Sequence, residues 1–200
     1  MDTFSFATTP QLYFGTGKIS VLPSAIKTFG SKILVITGAQ SFHSSAYGLA
    51  LHEKLNDAGI TAEYFTVDRE PTPLIVDTAV SKFSMDAPHV VVAIGGGSVL
   101  DAGKAVSAML PLKEPVKDYV EGVGRKLPHP GTKVPFIALP TTSGTGSEAT
   151  KNAVLSETGP FGFKKSLRHN NFVPDVAIVD PLLSVSCPPS LTASSGMDAF

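Results

Sequence analysis

The sequence has a single cysteine, Cys187, in 200 residues. An internal disulfide is therefore excluded, as is a cysteine-rich metal site, and a reducing cytoplasmic setting fits. Charge is sparse and balanced, at 16% charged residues and a formal net charge of −1. That balance gives no electrostatic basis for binding nucleic acid or an anionic membrane. No apolar run approaches about 18 residues, so no membrane span is expected. Residues 1–15 have neither a basic start nor an apolar core, and no signal peptide is expected in them. The 42% hydrophobic content is that of a globular protein with one substantial core, or one domain and the beginning of another.

What the sequence does have is a run of five apolar residues, Val90 to Ile94, leading into Gly95, Gly96, Gly97 and Ser98. An unbroken apolar run ended by glycine suits a strand buried on both faces, as in a parallel sheet. A helix is expected from Val99 to about Leu110. Glycines at such a turn let a ligand approach bare backbone, and the first helical amides have no partner within the helix. Phosphate binding is the implied chemistry, most simply the diphosphate of a dinucleotide. Two familiar loops are excluded: Ser98 stands where a P-loop needs its first glycine, and Leu100 where the Rossmann fingerprint needs its third. Ser98 is placed to cap the helix, and Asp101 and Lys104 lie a turn apart on one face. Alternatively the glycines make a plain tight turn followed by an exposed Asp–Lys pair.

The rest of the chain alternates strand and helix. Short strands are expected near residues 4–6 and 11–14. Gly15 to Gly17 then form a plain turn into a helix through Val21, Ile26 and Phe29. Lys32 to Thr37 and Ala62 to Val67 read as strands. The helix between them runs through Leu49 and Leu55 to Gly59, and Pro71, Thr72 and Pro73 open another through Ile75, Ala79 and Phe83. This order predicts a parallel sheet with helical crossovers. Pro111 to Pro135 reads as an excursion over the surface, and Val134 to Leu139 returns to the sheet. A polar loop of Thr141, Thr142, Ser143, Gly144, Thr145 and Gly146 follows at a strand's carboxyl end, where α/β sheets bind ligands. Gly144, Gly146 and Ala149 match the dinucleotide pattern by accident, because no long apolar helix follows. A small hairpin is expected around 154–155 and 161–163, with a basic stretch from Lys164 to His169 that reads as a solvated face. Val176 to Asp180 is the last strand, and a short helix begins near Pro188.

Three separated segments together resemble the iron-containing (group III) alcohol dehydrogenase family: Gly95 to Lys104, Pro140 to Glu148, and Asp180 to Asp198, the last with Cys187 where such proteins usually have Leu. The resemblance implies a Rossmann-like α/β domain over residues 1–185. Residues 186–200 would begin an all-helical metal-binding domain, with the active site in the cleft between the two. It implies that Gly95, Gly96, Gly97 and Ser98 hold the diphosphate of NAD or NADP, and that Asp101 fixes that turn. Thr141, Thr142, Thr145 and Lys164 would contact the cofactor, with Thr72 and Leu183 near it. Asp198 would be the first ligand of Fe²⁺ or Zn²⁺, joined by histidines beyond Phe200. The implied reaction is hydride transfer between the nicotinamide and a small alcohol or aldehyde, in a cytoplasmic homodimer.

None of His43, His52, His89, His129 and His169 falls at a family ligand position, and each reads as a surface or loop histidine. The 200 residues are therefore expected to be the cofactor half of such an enzyme and inactive alone. Alternatives are a lyase of the dehydroquinate synthase kind and a non-catalytic dinucleotide-binding module. The adenosine-side strand ends at Gly38, where NAD-preferring members tend to carry Asp. With Ser41 close enough to donate to a phosphate, NADP is expected to be favoured, moderately, since no Arg lies in the next ten residues.

Overall fold

The structure is a computed structural model that describes residues 3, 8–39, 42 and 45–199. Its elements follow in the order β1 (Gln11–Phe14), α1 (Leu22–Lys27), β2 (Lys32–Thr37), α2 (Ala46–Asp57), β3 (Thr61–Thr66), α3 (Pro73–Phe83), β4 (Val90–Gly95) and α4 (Gly97–Met109), continuing with β5 (Phe136–Pro140), β6 (Asn152–Glu157), β7 (Phe163–Arg168), β8 (Val176–Val179) and α5 (Pro189–Ala199). The strand expected at residues 4–6 falls outside the described residues.

Six strands form one parallel sheet in the order β1-β8-β5-β4-β2-β3, as the alternation of strands and helices implies. All six residues of β4 are buried, because helices cover both faces of the sheet. Side chains alternate between two cores. Leu34, Ile36, Val91, Ala93 and Phe136 meet α3 and α4 on one face, whereas Ile33, Val35, Val92, Ile94 and Ile137 meet α1 and α2 on the other. Local chemistry starts the helices: Ser45 accepts from the Gly48 amide at 3.1 Å to cap α2, and Thr72 accepts from the Ile75 amide at 3.3 Å to cap α3. Thr72, expected near the cofactor, thus has a structural use that the resemblance alone did not reveal.

Three further expectations are revised. The hairpin β6–β7 is longer than its apolar residues indicated, and the basic stretch forms its second strand with Leu167 fully buried. The 111–135 segment does not merely cross the surface. Val116 and Val120 are buried, Val116 donates its amide to Asp77 at 2.9 Å, and Val120 bridges to Leu167. His129, expected to be a surface or loop histidine, does lie in a loop, but its ring is buried against Phe172. Its Nδ1 accepts the Gly131 amide at 2.9 Å, and burial holds its pKa below the ordinary value of 6.5. The Gly15–Gly17 turn is plain, as expected: the buried Asp180 carboxylate accepts the amides of Gly17 and Ile19 at 3.1 and 2.9 Å.

Candidate cofactor site

β2 and β4 are neighbours, with Thr37 beside Ile94, yet the chain leaves β2 toward β3 and leaves β4 toward β5. Where connections diverge in this way, the carboxyl ends of the strands open a crevice. Gly38 lies on one rim of it and Gly95 to Gly97 on the other.

The glycine turn is shaped by close approach. A Cβ on Gly95 would lie 2.6 Å from the side chain of Val99, and one on Gly97 would lie 2.8 Å from Cγ2 of Thr145. Gly96 is the N-cap of α4 in extended conformation and no side chain caps the helix, so the expectation that Ser98 caps it is corrected. Gly97 and Ser98 open the first helical turn, where backbone amides have no acceptor within the helix and favour a negative charge. The Thr141 amide donates to the Gly95 carbonyl at 3.0 Å and ties the polar loop to this turn.

Two hollows flank the turn. One, of about 380 Å³, is mainly apolar and is lined by Phe42, Tyr47, Thr141, Thr142, Leu183 and Cys187 among others. The other, of about 430 Å³, is polar and gathers Glu70, Gly97, Ser98, Asp101, Thr145, Lys164 and Asp198. Of the expected site residues, Gly38, Thr72, Gly95 and Gly96 line neither, and Glu70 and Pro71, the neighbours of Thr72, stand at the polar pocket instead. Ser41 lies outside the described residues. Among the described residues, a Cβ at Gly38 would touch only Cγ2 of Val99, at 4.0 Å, so none of them crowds out a side chain there.

In the polar pocket Glu70, Lys164 and Asp101 are already engaged. Lys164 Nζ lies 2.6 Å from Glu70 Oε1, and Glu70 also accepts the Ser156 hydroxyl at 2.9 Å. The Lys164 hydrogen bond, then that of Ser156, holds the exposed Glu70 carboxyl below the usual range. Asp101 accepts the Ser147 hydroxyl at 2.5 Å and the Val154 amide at 3.1 Å. It therefore fixes the opposite wall and not, as expected, its own glycine turn. Burial raises the Asp101 pKa, while the Ser147 hydrogen bond and the charge of Lys104 oppose that rise. Lys104 is no exposed partner of Asp101: it is 1% exposed, and burial lowers its pKa to about 8. The parts missed in the sequence are Glu70, which ends the charged run Asp68-Arg69-Glu70, and Ser147, Thr150 and Asn152, whose only signal is a run of small polar residues.

Asp198 reaches the pocket from α5. A Cβ on Gly144, whose φ is +92°, would lie 2.9 Å from Cβ of Asp198 and collide with the Ser195 carbonyl, so only glycine lets the loop meet this helix. Among the described residues no three His, Cys, Asp or Glu side chains cluster closely enough to hold a metal ion. Asp198 by itself is not a metal site. Nor is any helix of the described residues long and apolar enough to cross a membrane.

An open parallel sheet with a glycine turn at its switch point is a Rossmann-like α/β fold. The chain belongs to the iron-containing alcohol dehydrogenase family, whose sequence model matches residues 9–181. It is 37% identical over 197 residues to long-chain-alcohol dehydrogenase 1 of Geobacillus thermodenitrificans, covering 96% of this chain and 48% of that protein. Against the NAD-dependent methanol dehydrogenase of Bacillus methanolicus it is 31% identical over 199 residues, covering 98% of this chain and 50% of the relative. Among solved structures, the NADH-dependent butanol dehydrogenase A of Thermotoga maritima superposes with a TM-score of 0.90 at 27% identity, over 99% of this chain and 49% of the other. Sulfoacetaldehyde reductase of Bifidobacterium kashiwanohense in complex with NAD⁺ superposes with a TM-score of 0.86 at 31% identity, over 99% of this chain and 51% of the other. The chain thus spans about half the length of these relatives.

Proposed function

We propose that this chain binds a nicotinamide dinucleotide across the crevice between β2 and β4, as the cofactor half of a metal-dependent alcohol dehydrogenase. One observation carries the reading: the glycine turn that opens α4 at Gly97 and Ser98 stands between an apolar and a polar hollow. Adenine suits the apolar hollow beside Thr141, Thr142 and Leu183. The diphosphate suits the amides at the start of α4, where bare glycine permits contact. The nicotinamide end suits the polar pocket, with Lys164 near the ribose and diphosphate. When bound, the nicotinamide takes up or gives the hydride exchanged with an alcohol or aldehyde.

The chain's own groups bind and orient. Thr141 and Thr145 brace the turn, and the Asp101 side secures the far wall. Lys164 offers the pocket's cationic side chain, and the dinucleotide's phosphates compete with Glu70 for it. Asp198 would contribute one carboxylate to Fe²⁺ or Zn²⁺ at the nicotinamide end. Gly38 leaves the ribose side uncharged, so NADP is accepted and moderately favoured over NAD. The names of three of the relatives just described point to NAD or NADH for those proteins, which makes this preference a point of difference from them.

Calorimetric titration of NAD and NADP against wild type and Gly97→Asp tests the reading. The substitution puts a carboxylate where phosphate would sit and drives a Cβ into Thr145. Wild type is expected to bind and the variant to lose binding; equal affinity would remove the glycine turn from the site.

A further inference from the structure

Residues 145–154 form one wall of the polar pocket, through Thr145, Ser147, Thr150, Asn152 and Val154. Regular structure begins only at Asn152, where β6 starts. A charge from outside the segment holds it. Lys104, in α4, donates from its ammonium to the carbonyls of Ser147 at 2.7 Å, Thr150 at 2.8 Å and Asn152 at 3.0 Å. The hydroxyls of Ser147 and Thr150 stand farther off, both at 3.3 Å. Three carbonyls at the short distances match the three protons of an ammonium. One turn earlier, Asp101 takes the Ser147 hydroxyl and the Val154 amide. The helix whose first turn presents Gly97 and Ser98 to the pocket therefore also grips the opposite wall. Burying an ammonium is costly, and packing alone would be served by an apolar side chain.

We propose that Lys104 is a positioning residue for the dinucleotide, its ammonium holding residues 147–152 as the pocket wall that faces the glycine turn. The proposal rests on the dinucleotide reading above and deepens it. A neutral amine keeps two protons for three carbonyls, so the wall is secured only while Lys104 is charged. The charged groups that act on it are Asp101 and Glu148, which favour the ammonium, and Lys133, which opposes it. Burial outweighs them and brings its pKa to about 8, so affinity should be full below that pH and decline as pH rises through it.

The test is titration of the 200-residue chain with NAD and NADP, together with Lys104→Ala. This variant lacks three methylenes and the ammonium, which added propylammonium can replace in size and in protons. Affinity is expected to fall about tenfold or more in Lys104→Ala. Propylammonium should restore most of the loss, and tetramethylammonium, which has no N–H, should restore none. Wild-type affinity should decline several-fold from about pH 7 to about pH 9.5, and Lys104→Met should show no such decline. Equal affinity of folded Lys104→Ala and wild type, or equal effects of the two cations, overturns the proposal and leaves the dinucleotide reading standing. Absence of binding by wild type overturns both. Should Lys104→Ala fail to fold, the wild-type pH series decides: a flat affinity overturns the proposal, and a decline through about pH 8 supports it.

Discussion

Gly38 sits where β2 ends beside β4, a position at which cofactor choice can be changed. Among the described residues a Cβ there meets only ordinary contact with Val99, so Gly38→Asp adds a carboxylate without displacing their backbone. That charge would repel a 2′-phosphate and accept hydrogen bonds from ribose hydroxyls. NADP affinity is expected to fall about tenfold, roughly 1.4 kcal/mol, while NAD affinity holds or improves. Side-by-side calorimetric titrations of both cofactors against both proteins are the check. Tighter binding of NAD by wild type, or NADP affinity unmoved by the new Asp, would defeat the idea.

Among the elements, α4 links core to site. It lies against the sheet because Gly103 has no side chain: a Cβ there would come 2.7 Å from Cβ of Ala93 and 2.9 Å from Phe136. Gly103→Ala should therefore push the helix from the sheet and destabilise the fold by about 1–3 kcal/mol, read as a lower urea midpoint. Because α4 carries the glycine turn at one end and Lys104 in its middle, dinucleotide affinity should fall as well. Unchanged stability and affinity would show that the helix accommodates the methyl without moving. The hairpin β6–β7 makes a related point: Lys164 and Leu167 belong to one short strand, one at the pocket and the other in the core.

The whole molecule contains a cofactor crevice and, among its described residues, no cluster of metal donors. A catalytic ion of this kind needs about three protein ligands. The 200-residue chain with NAD or NADP, ethanol or 1-propanol, and added Fe²⁺ or Zn²⁺ is therefore expected to show no turnover above a metal-free control. Metal-dependent formation of reduced cofactor, followed by absorbance, would contradict this and require a donor set assembled between copies of the chain.

Local chemistry determined a large part of this protein. The apolar runs at 32–37 and 90–94 could be satisfied only by strands covered on both faces. Thr72, Pro73 and Gly59 set helix ends through capping and positive φ, and the family motifs located the glycine turn. These features act between near neighbours in the chain, so they are legible in order of residues. Ser98 does not cap because the helix starts two residues earlier than its position implies, with Gly96 taking the capping position by backbone conformation alone. The roles of Asp101 and Lys104 were decided only by tertiary structure. Their partners lie 43 to 53 residues away, in the loop before β6 and in the first residues of that strand. His129 is alike: its ring is buried by Phe172 and Tyr119, which no local pattern connects to it. A charge or an imidazole in sequence carries no mark of its burial, because burial is set by the elements that fold over it.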